Sequence, residues 1–164
     1  MKDVQSELFI VVNLEDEIIG YKTRFECHHD KTLIHRAIDV ILFTKEGKIA
    51  MQKRSDQKDL FAGYYCATAT GHVSKGESYE KAAYRELKEE MGVGGVHLEK
   101  KGTFIVYDQK ETEMITLFTG VYEGVFTFPK DEVESIHSYS QDEMQKLSPL
   151  TPSSLASLKY INWL

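Results

Sequence analysis

The stretch Gly71-His72-Val73-Ser74-Lys75-Gly76-Glu77 is followed, after seven further residues, by Arg85-Glu86-Leu87-Lys88-Glu89-Glu90-Met91-Gly92-Val93. Ser78 is a suitable N-cap, and the residues after it are rich in Ala, Glu, Lys, Arg and Leu. Gly92 is a typical residue at the end of a helix. The pattern therefore predicts a loop that leads into a helix from Ser78 to Met91.

Three glutamates on this helix lie three and four residues apart, so Glu86, Glu89 and Glu90 share one face. Like charges on one face repel each other unless a cation lies among them. Carboxylate oxygens are hard ligands that suit Mg²⁺ or Mn²⁺. The alternative interpretation is a solvated acidic helix face, which three glutamates alone would not exclude. Gly71 is expected to permit a tight bend before the loop.

The whole stretch resembles the Nudix box, G-x5-E-x7-R-E-U-x-E-E-x-G-U, where U is an aliphatic residue, and it fills all nine specified positions. The resemblance implies the Nudix fold, an α/β/α sandwich with a mixed sheet. It also implies metal ligation by the three glutamates and by the carbonyl of Gly71, with Glu77 and Arg85 in supporting roles. A metal-activated water would attack the diphosphate, and Glu86 is one candidate for the general base.

Composition sets outer limits on this interpretation. The 164 residues fit one domain, 1–164, and a net charge of −6 argues against binding a nucleic-acid polymer. The sequence contains no run long and apolar enough for a membrane span, and its start lacks a signal-peptide core. Two cysteines, Cys27 and Cys66, do not make a disulfide framework, so the reducing cytoplasm is the expected location.

Strands mixed with a few helices, without a regular βαβ rhythm, indicate the α+β class. The segments predicted as strands are Leu8 to Val12, a strand at Ile18-Ile19, Ala37 to Thr44, Ile49 to Lys53, Tyr64 to Thr70, Val96 to Tyr107, Ile115 to Phe126 and Val133 to Tyr139. Two further short helices are predicted, Gln141 to Leu147 and Ser153 to Tyr160.

The flanks of the box are similar to one branch of the family, the type I isopentenyl-diphosphate isomerases and their hydrolase relatives. The similar stretches are Asn13-Leu14-Glu15-Asp16-Glu17-Ile18-Ile19-Gly20, Ile34-His35-Arg36-Ala37 and Met51-Gln52-Lys53-Arg54-Ser55. This resemblance implies a second metal site made of His28, His35, His72, Glu111 and Glu113. His29 beside His28 leaves the first ligand open, and the isomerase tyrosine falls on Tyr107. Taken singly, each histidine is more typical of a surface or core residue.

One departure favours hydrolysis. The isomerases carry their proton-transfer cysteine directly before the box glycine, where this chain has Thr70. A hydroxyl is far too weak an acid to replace a thiol. The box glutamates are intact, which is typical of the hydrolases, and Glu113 joins them as a catalytic candidate. An isomerase and a metal-binding regulatory module are the competing interpretations.

The expected partner is a small-molecule diphosphate held with Mg²⁺ or Mn²⁺. Lys53 and Arg54 precede the site and could contact its phosphates or simply face solvent. The box does not identify the group that the diphosphate carries, which could be a nucleoside, a sugar, a coenzyme or an isoprenoid. Many members of the family are homodimers, so the resemblance leaves a homodimer open.

Overall fold

The computed structural model describes residues 4–164. Within that range, nine strands form one mixed sheet and four helices accompany it. The elements are β1 Leu8–Val12, β2 Ile18–Thr23, α1 Arg24–His29, β3 Ile34–Phe43, β4 Ile49–Arg54, β5 Tyr65–Cys66, β6 Ala69–His72, α2 Tyr79–Met91, β7 Glu99–Tyr107, β8 Thr112–Val121, β9 Val133–Tyr139, α3 Gln141–Met144 and α4 Pro152–Tyr160. The longest helix in this range has 13 residues, too few to cross a bilayer.

Strand β3 organises the sheet because it pairs with four other strands. It runs parallel to β8 along its whole length, from Ile34 opposite Thr112 to Phe43 opposite Val121. It pairs antiparallel with β1, β4 and β6. The sheet is therefore mixed, as expected, and β6 lies directly beside its central strand.

The two faces of β3 are covered by different helices, because side chains alternate along a strand. Ile38, Val40 and Leu42 pack with the apolar side of α2, whose residue Leu87 is fully buried. Ile41, on the opposite face, packs in a cluster that contains Leu158 of α4. A sheet between helices confirms the α+β class and the three-layer arrangement.

The segment from 64 to 70 differs from its prediction as one strand. Residues Tyr65–Cys66 pair with β4, whereas Ala69–His72 pair with β3. Thr68 separates them, since its hydroxyl donates to the carbonyl of Ala50 and accepts from the backbone N–H of Leu42. The Thr68 side chain thus takes the place of backbone pairing at this point. The two short strands on either side of it pair with two different strands, β4 and β3.

Helix α1 was not predicted from the sequence. Its N-cap Thr23 accepts a hydrogen bond from the N–H of Glu26, and the Glu26 side chain accepts one from the N–H of Thr23. This reciprocal capping box compensates for the short length of the helix. Helix α1 places His28 over the sheet, so the site depends on it.

Candidate functional site

A pocket of about 820 Å³ opens beside β6 and the middle of α2. Its walls come from β3, β6, α1, α2 and the start of α4. Nearly all of the residues predicted for the site line it: Gly71, His72, Glu77, Arg85, Glu86, Glu89, Glu90, His28, Glu111, Glu113 and Arg54. The sequence-predicted residues thus converge on one concave surface.

The three glutamates of α2 differ in burial. The Glu86 side chain is largely buried and Glu89 is exposed at the pocket rim. Burial and the neighbouring Glu90 raise the pKa of Glu86 to about 8. Burial also raises the pKa of Glu90, although Oε2 of Glu90 accepts hydrogen bonds from Nε2 of Gln52 at 2.8 Å and from the N–H of Thr70 at 3.2 Å. A cation among these carboxylates would relieve their mutual repulsion.

Arg85 joins the loop to the helix. Its Nε donates to Oε1 of Glu77 at 2.6 Å, and Nη2 donates to Oε2 of Glu77 at 2.9 Å. Nη2 also donates to the carbonyl of His72, and Nη1 donates to Oε1 of Glu86 at 2.7 Å. This two-point contact with Glu77 is the strong geometry for an arginine and a carboxylate. Glu77 and Arg85 therefore occupy positions suited to the supporting role expected of them.

Gly71 is needed for a reason other than the expected bend. It lies inside β6, where a Cβ added to it would come within 2.2 Å of Cδ and Oε1 of Glu86. The absence of a side chain lets the Glu86 carboxylate lie directly against the backbone of the strand. The carbonyl of Gly71 and this carboxylate are thereby kept at one place.

Gly71→Ala is expected to lower activity at least about tenfold while changing the melting temperature little. The new methyl group would displace the end of Glu86, a movement of one side chain rather than of the backbone. Steady-state kinetics and thermal unfolding of the same preparation measure the two effects. Gly76→Ala is unsuitable as a control because Gly76 has a φ of 87°, whereas Gly20 has an open surrounding and no positive φ. Equal activity in Gly71→Ala and Gly20→Ala would contradict the packing argument.

A second cluster joins three histidines and a glutamate. His28, His35, His72 and Glu111 each offer one ligand atom, and these atoms all lie within 4.8 Å of one another. Nε2 of His28 is 3.0 Å and Nε2 of His35 is 3.3 Å from Oε2 of Glu111. Burial tends to raise the pKa of Glu111, but these histidine contacts outweigh it and lower the pKa to about 2. Burial lowers the pKa of His72, which favours the neutral form that binds metals.

The nitrogens of this cluster are close to Glu111 without forming directed hydrogen bonds. Among residues 4–164, both ring nitrogens of His28 and His35 and Oε2 of Glu111 are buried and lack a hydrogen-bond partner. Buried polar atoms are almost always satisfied, so such a group requires an explanation. Three imidazoles and a carboxylate around one point fit a transition-metal ion. Glu113 lies just outside, with Oε1 3.7 Å from Nε2 of His72.

Of the two adjacent histidines, His28 belongs to this cluster and His29 does not. His28 points into the cluster, whereas His29 is exposed, stacks on Phe25 and places Nδ1 2.7 Å from the Phe25 carbonyl. His72 is held by stacking on Phe9, with ring centroids 4.1 Å apart. The N-terminal strand and helix thus shape this half of the site.

Two residues named from the sequence lie away from the pocket. Nζ of Lys53 donates to Glu134 of β9 at 3.1 Å, and Lys53 is not among the lining residues. Tyr107 is 68% exposed and also lies outside the lining. Arg54 does line the pocket, with Nη2 donating to the carbonyl of Leu60 at 3.0 Å. Of the two cationic residues predicted to meet a phosphate, Arg54 lines the pocket and Lys53 does not.

Some lining residues were not found from the sequence. Arg24 and Lys58 add cationic groups to the pocket wall, and Lys58 contacts Oε2 of Glu132 at 2.7 Å. Asp39 of β3 is a buried carboxyl at the inner wall. Asp39 was not singled out from the sequence, although a charged residue inside an apolar run is unusual and was the available signal.

The carboxyl of Asp39 gives a pH dependence of stability. Burial, aided by the charge of Glu90 and opposed by the hydroxyl of Ser157, raises its pKa to about 7, against about 3.9 in an unfolded chain. The folded state then holds a proton that the unfolded state has lost. The contribution of this proton to stability is complete below about pH 4 and is lost as the pH rises through about 7.

Asp39→Asn is therefore expected to gain stability relative to the wild type as the pH rises from 4 to 8. Asparagine does not ionise, so its folded state carries no buried charge above pH 7. Urea unfolding at several pH values measures the difference between the two proteins. A difference that stays constant across this range would show that Asp39 does not titrate in the folded state.

Comparisons with known proteins agree with this geometry. A family model described as "NUDIX domain" matches residues 33–163. The protein named uncharacterized Nudix hydrolase YfcD from Escherichia coli (strain K12) is 34% identical over 149 residues, which cover 90% of this chain and 82% of that protein. A Serratia proteamaculans protein named isopentenyl-diphosphate Delta-isomerase is 31% identical over 150 residues, covering 88% and 81%.

Solved structures show the same fold. DR0079 from Deinococcus radiodurans matches with a TM-score of 0.79 at 17% identity, covering 93% of this chain and 98% of that one. The NUDIX domain of Shewanella oneidensis NrtR, solved with ADP ribose, matches with a TM-score of 0.65 at 18% identity, covering 77% and 85%. The family match and the relatives above 30% identity confirm both resemblances drawn from the sequence. The chain belongs to the Nudix family, and relatives named Nudix hydrolases match it over most of its length.

Proposed function

We propose that the protein hydrolyses the diphosphate linkage of a small substrate in a reaction that depends on Mg²⁺ or Mn²⁺. The observation that carries the proposal is the set of Glu86, Glu89 and Glu90 beside Gly71 in one pocket, braced by Arg85. A divalent cation held by these groups would neutralise the diphosphate and activate water for attack. The acidity of the cluster supports this, because without a cation its charges oppose each other.

The residues around the carboxylates have separate tasks in this proposal. Glu86, buried against β6, is the first candidate for the base that takes a proton from the attacking water, since its pKa is raised towards neutrality. Glu113 is the second candidate, because burial and the charge of Glu111 raise its pKa. Arg54 would orient phosphate oxygens, and Arg24 and Lys58 extend the cationic wall.

We further propose that His28, His35, His72 and Glu111 hold a second metal ion of the transition type, such as Mn²⁺ or Zn²⁺, with Glu113 completing the set. The buried ring nitrogens that lack partners among residues 4–164 support this assignment. Such an ion would lie in the same pocket as the glutamates of α2. It would give the substrate a second point of attachment through a phosphate or its carried group.

Isopentenyl-diphosphate isomerisation is the second candidate, favoured by the histidine cluster and by the relative from Serratia proteamaculans that bears this name. Two positions weigh against it. Thr70 stands where the isomerases have their acid, and exposed Tyr107 lies outside the pocket lining. Hydrolysis remains the better-supported function because the α2 carboxylates are intact and correctly braced.

Product analysis separates the two reactions. The protein is incubated with sugar-linked and other nucleoside diphosphate derivatives, a coenzyme diphosphate and isopentenyl diphosphate, each with Mg²⁺ or Mn²⁺. Phosphate or a monophosphate as product supports hydrolysis, and its formation should stop with chelator. The allylic isomer without hydrolysis would establish the isomerase. No conversion of any compound would overturn the proposal. As a control, the Glu80→Gln variant, which changes an exposed glutamate of α2, should form the same products as the wild type.

A further inference from the structure

The inner wall of the pocket has a carboxyl that the proposed chemistry does not use. Asp39 follows His35 and Ala37 on the same face of β3, because residues two apart share a face. Four residues of strand span about 13 Å, so the floor runs from the histidine cluster at one end to Asp39 at the other. Ala37 lies between them, buried against Ala156 of α4, and contributes to the same lining.

Asp39 is held rigidly at this position. Asp39 is 1% exposed, and its Oδ2 accepts a hydrogen bond from Oγ of Ser157 at 2.7 Å. Ser154, one turn earlier on α4, lies close to the same carboxyl. Both serines are fully buried, so the helix fixes the orientation of the acid.

Fastening α4 to the sheet does not by itself require an acid. A neutral asparagine could accept the same hydrogen bond from Ser157 without the penalty of a buried carboxylate. Asp39 nevertheless reaches the pocket and contributes to its lining. A buried acid that also lines a pocket is a candidate for recognition as well as for folding.

Several polar residues of the sheet and of α4 lie around Asp39. Thr70 lies opposite Asp39 in the ladder between β3 and β6. Thr151, Pro152 and Ser153, from the start of α4, form the adjoining wall. Three apolar lining residues, Leu60, Phe61 and Pro129, come instead from loops. A hydrocarbon tail placed beside Asp39 would offer its carboxyl no hydrogen-bond donor beyond the serines of α4.

We propose that Asp39 is a specificity residue that accepts a hydrogen bond from a hydroxyl or amino group on the moiety carried by the diphosphate. This inference rests on the proposed function, since it places the diphosphate at the α2 carboxylates, where Glu90 accepts a hydrogen bond from the backbone N–H of Thr70, the residue paired with Asp39. The substrate is then a diphosphate linked to a group with hydrogen-bond donors, and an isoprenoid diphosphate is a poor ligand. A site built around a buried polar group rejects an analogue that lacks the matching donor.

Ligand binding to three diphosphates tests the inference independently of catalysis. ADP-ribose offers sugar hydroxyls, CDP-ethanolamine offers an ammonium group, and isopentenyl diphosphate offers no donor on its hydrocarbon. Calorimetry in the presence of Mn²⁺ measures Kd for wild type, Asp39→Val and Asp39→Asn. Asp39→Val is expected to weaken one or both donor-bearing ligands about 10- to 100-fold and to leave isopentenyl diphosphate unchanged or tighter.

Two further variants distinguish recognition from packing. Asp39→Asn keeps an acceptor oxygen and should fall between wild type and Asp39→Val. Ser157→Ala removes the contact with α4 but leaves the carboxyl, so it should lower the melting temperature while largely preserving the order of the three affinities. An equal change for all three ligands in Asp39→Val, or no change, would overturn the inference. These measurements report binding and not catalysis. If the proposed function is wrong, the ligands will bind in this experiment but will not be hydrolysed in the product analysis.

Discussion

Replacing Glu90 by glutamine is expected to lower kcat by about 100-fold or more at saturating Mg²⁺, because altering even the outer partners of a metal ligand typically changes activity about 10- to 100-fold. The substitution removes a charge that is buried within the pocket. The fold should be retained, since the amide oxygen can still accept from Gln52 and Thr70. The melting temperature without metal should not fall, because a neutral amide replaces a carboxyl whose pKa is raised by burial.

Kinetics over a range of Mg²⁺ concentrations, with thermal unfolding beside them, measure this result. Glu80→Gln is the matched control, because it changes the same residue type in the first turn of α2, at an exposed position. Unchanged turnover in Glu90→Gln at saturating Mg²⁺ would remove the basis for the metal site on α2. A loss of activity accompanied by unfolding would indicate that Glu90 is needed for packing instead.

The second large effect is expected for metal content. The double variant His28→Ala, His72→Ala should lose the transition metal of the histidine cluster, because only one imidazole and Glu111 remain of the four groups. Two ligands rarely hold such an ion against exchange with solvent. Elemental analysis after loading with Mn²⁺ or Zn²⁺ and desalting measures the content per chain. In the wild type, retention should decrease in acid, because an imidazole must be neutral to bind a metal.

His29→Ala provides the control for this experiment. His29 is exposed and contacts Phe25 rather than the cluster, although it is the direct neighbour of His28. Its replacement should leave the metal content unchanged. Equal content in the wild type and the double variant would show that the histidines are not ligands, whereas a loss in His29→Ala would place the site elsewhere on α1.

Local sequence patterns predicted the parts of the structure that depend on neighbouring residues. The helix from Tyr79 to Met91 follows from its cap, its composition and its terminal glycine, and its spacing places the carboxylates on one side. The strand Val133–Tyr139 has the predicted bounds. The signal for α1 was also present, as the threonine and glutamate of a capping box three residues apart.

Features that depend on distant contacts could not be predicted in this way. The partner of Asp39, Ser157, is 118 residues away, so nothing near Asp39 indicates why a carboxyl is buried. From the sequence, Gly71 was interpreted as a bend. Its actual role, leaving room for Glu86, becomes visible only once the helix is packed on the strand. Thr68 divides the strand between 64 and 70 through contacts with two other strands.

His28 lies outside the part of the chain that matches the Nudix family model, which bears on how such proteins evolve. The match to the Nudix family model begins at residue 33, whereas β1, β2 and α1 precede it and contribute Phe9 and His28 to the histidine cluster. The carboxylates of α2 lie wholly inside the match. Changes in the first 32 residues would therefore alter the histidine cluster while leaving the α2 carboxylates in place. Two clusters that share a pocket in this way are separable units of evolution.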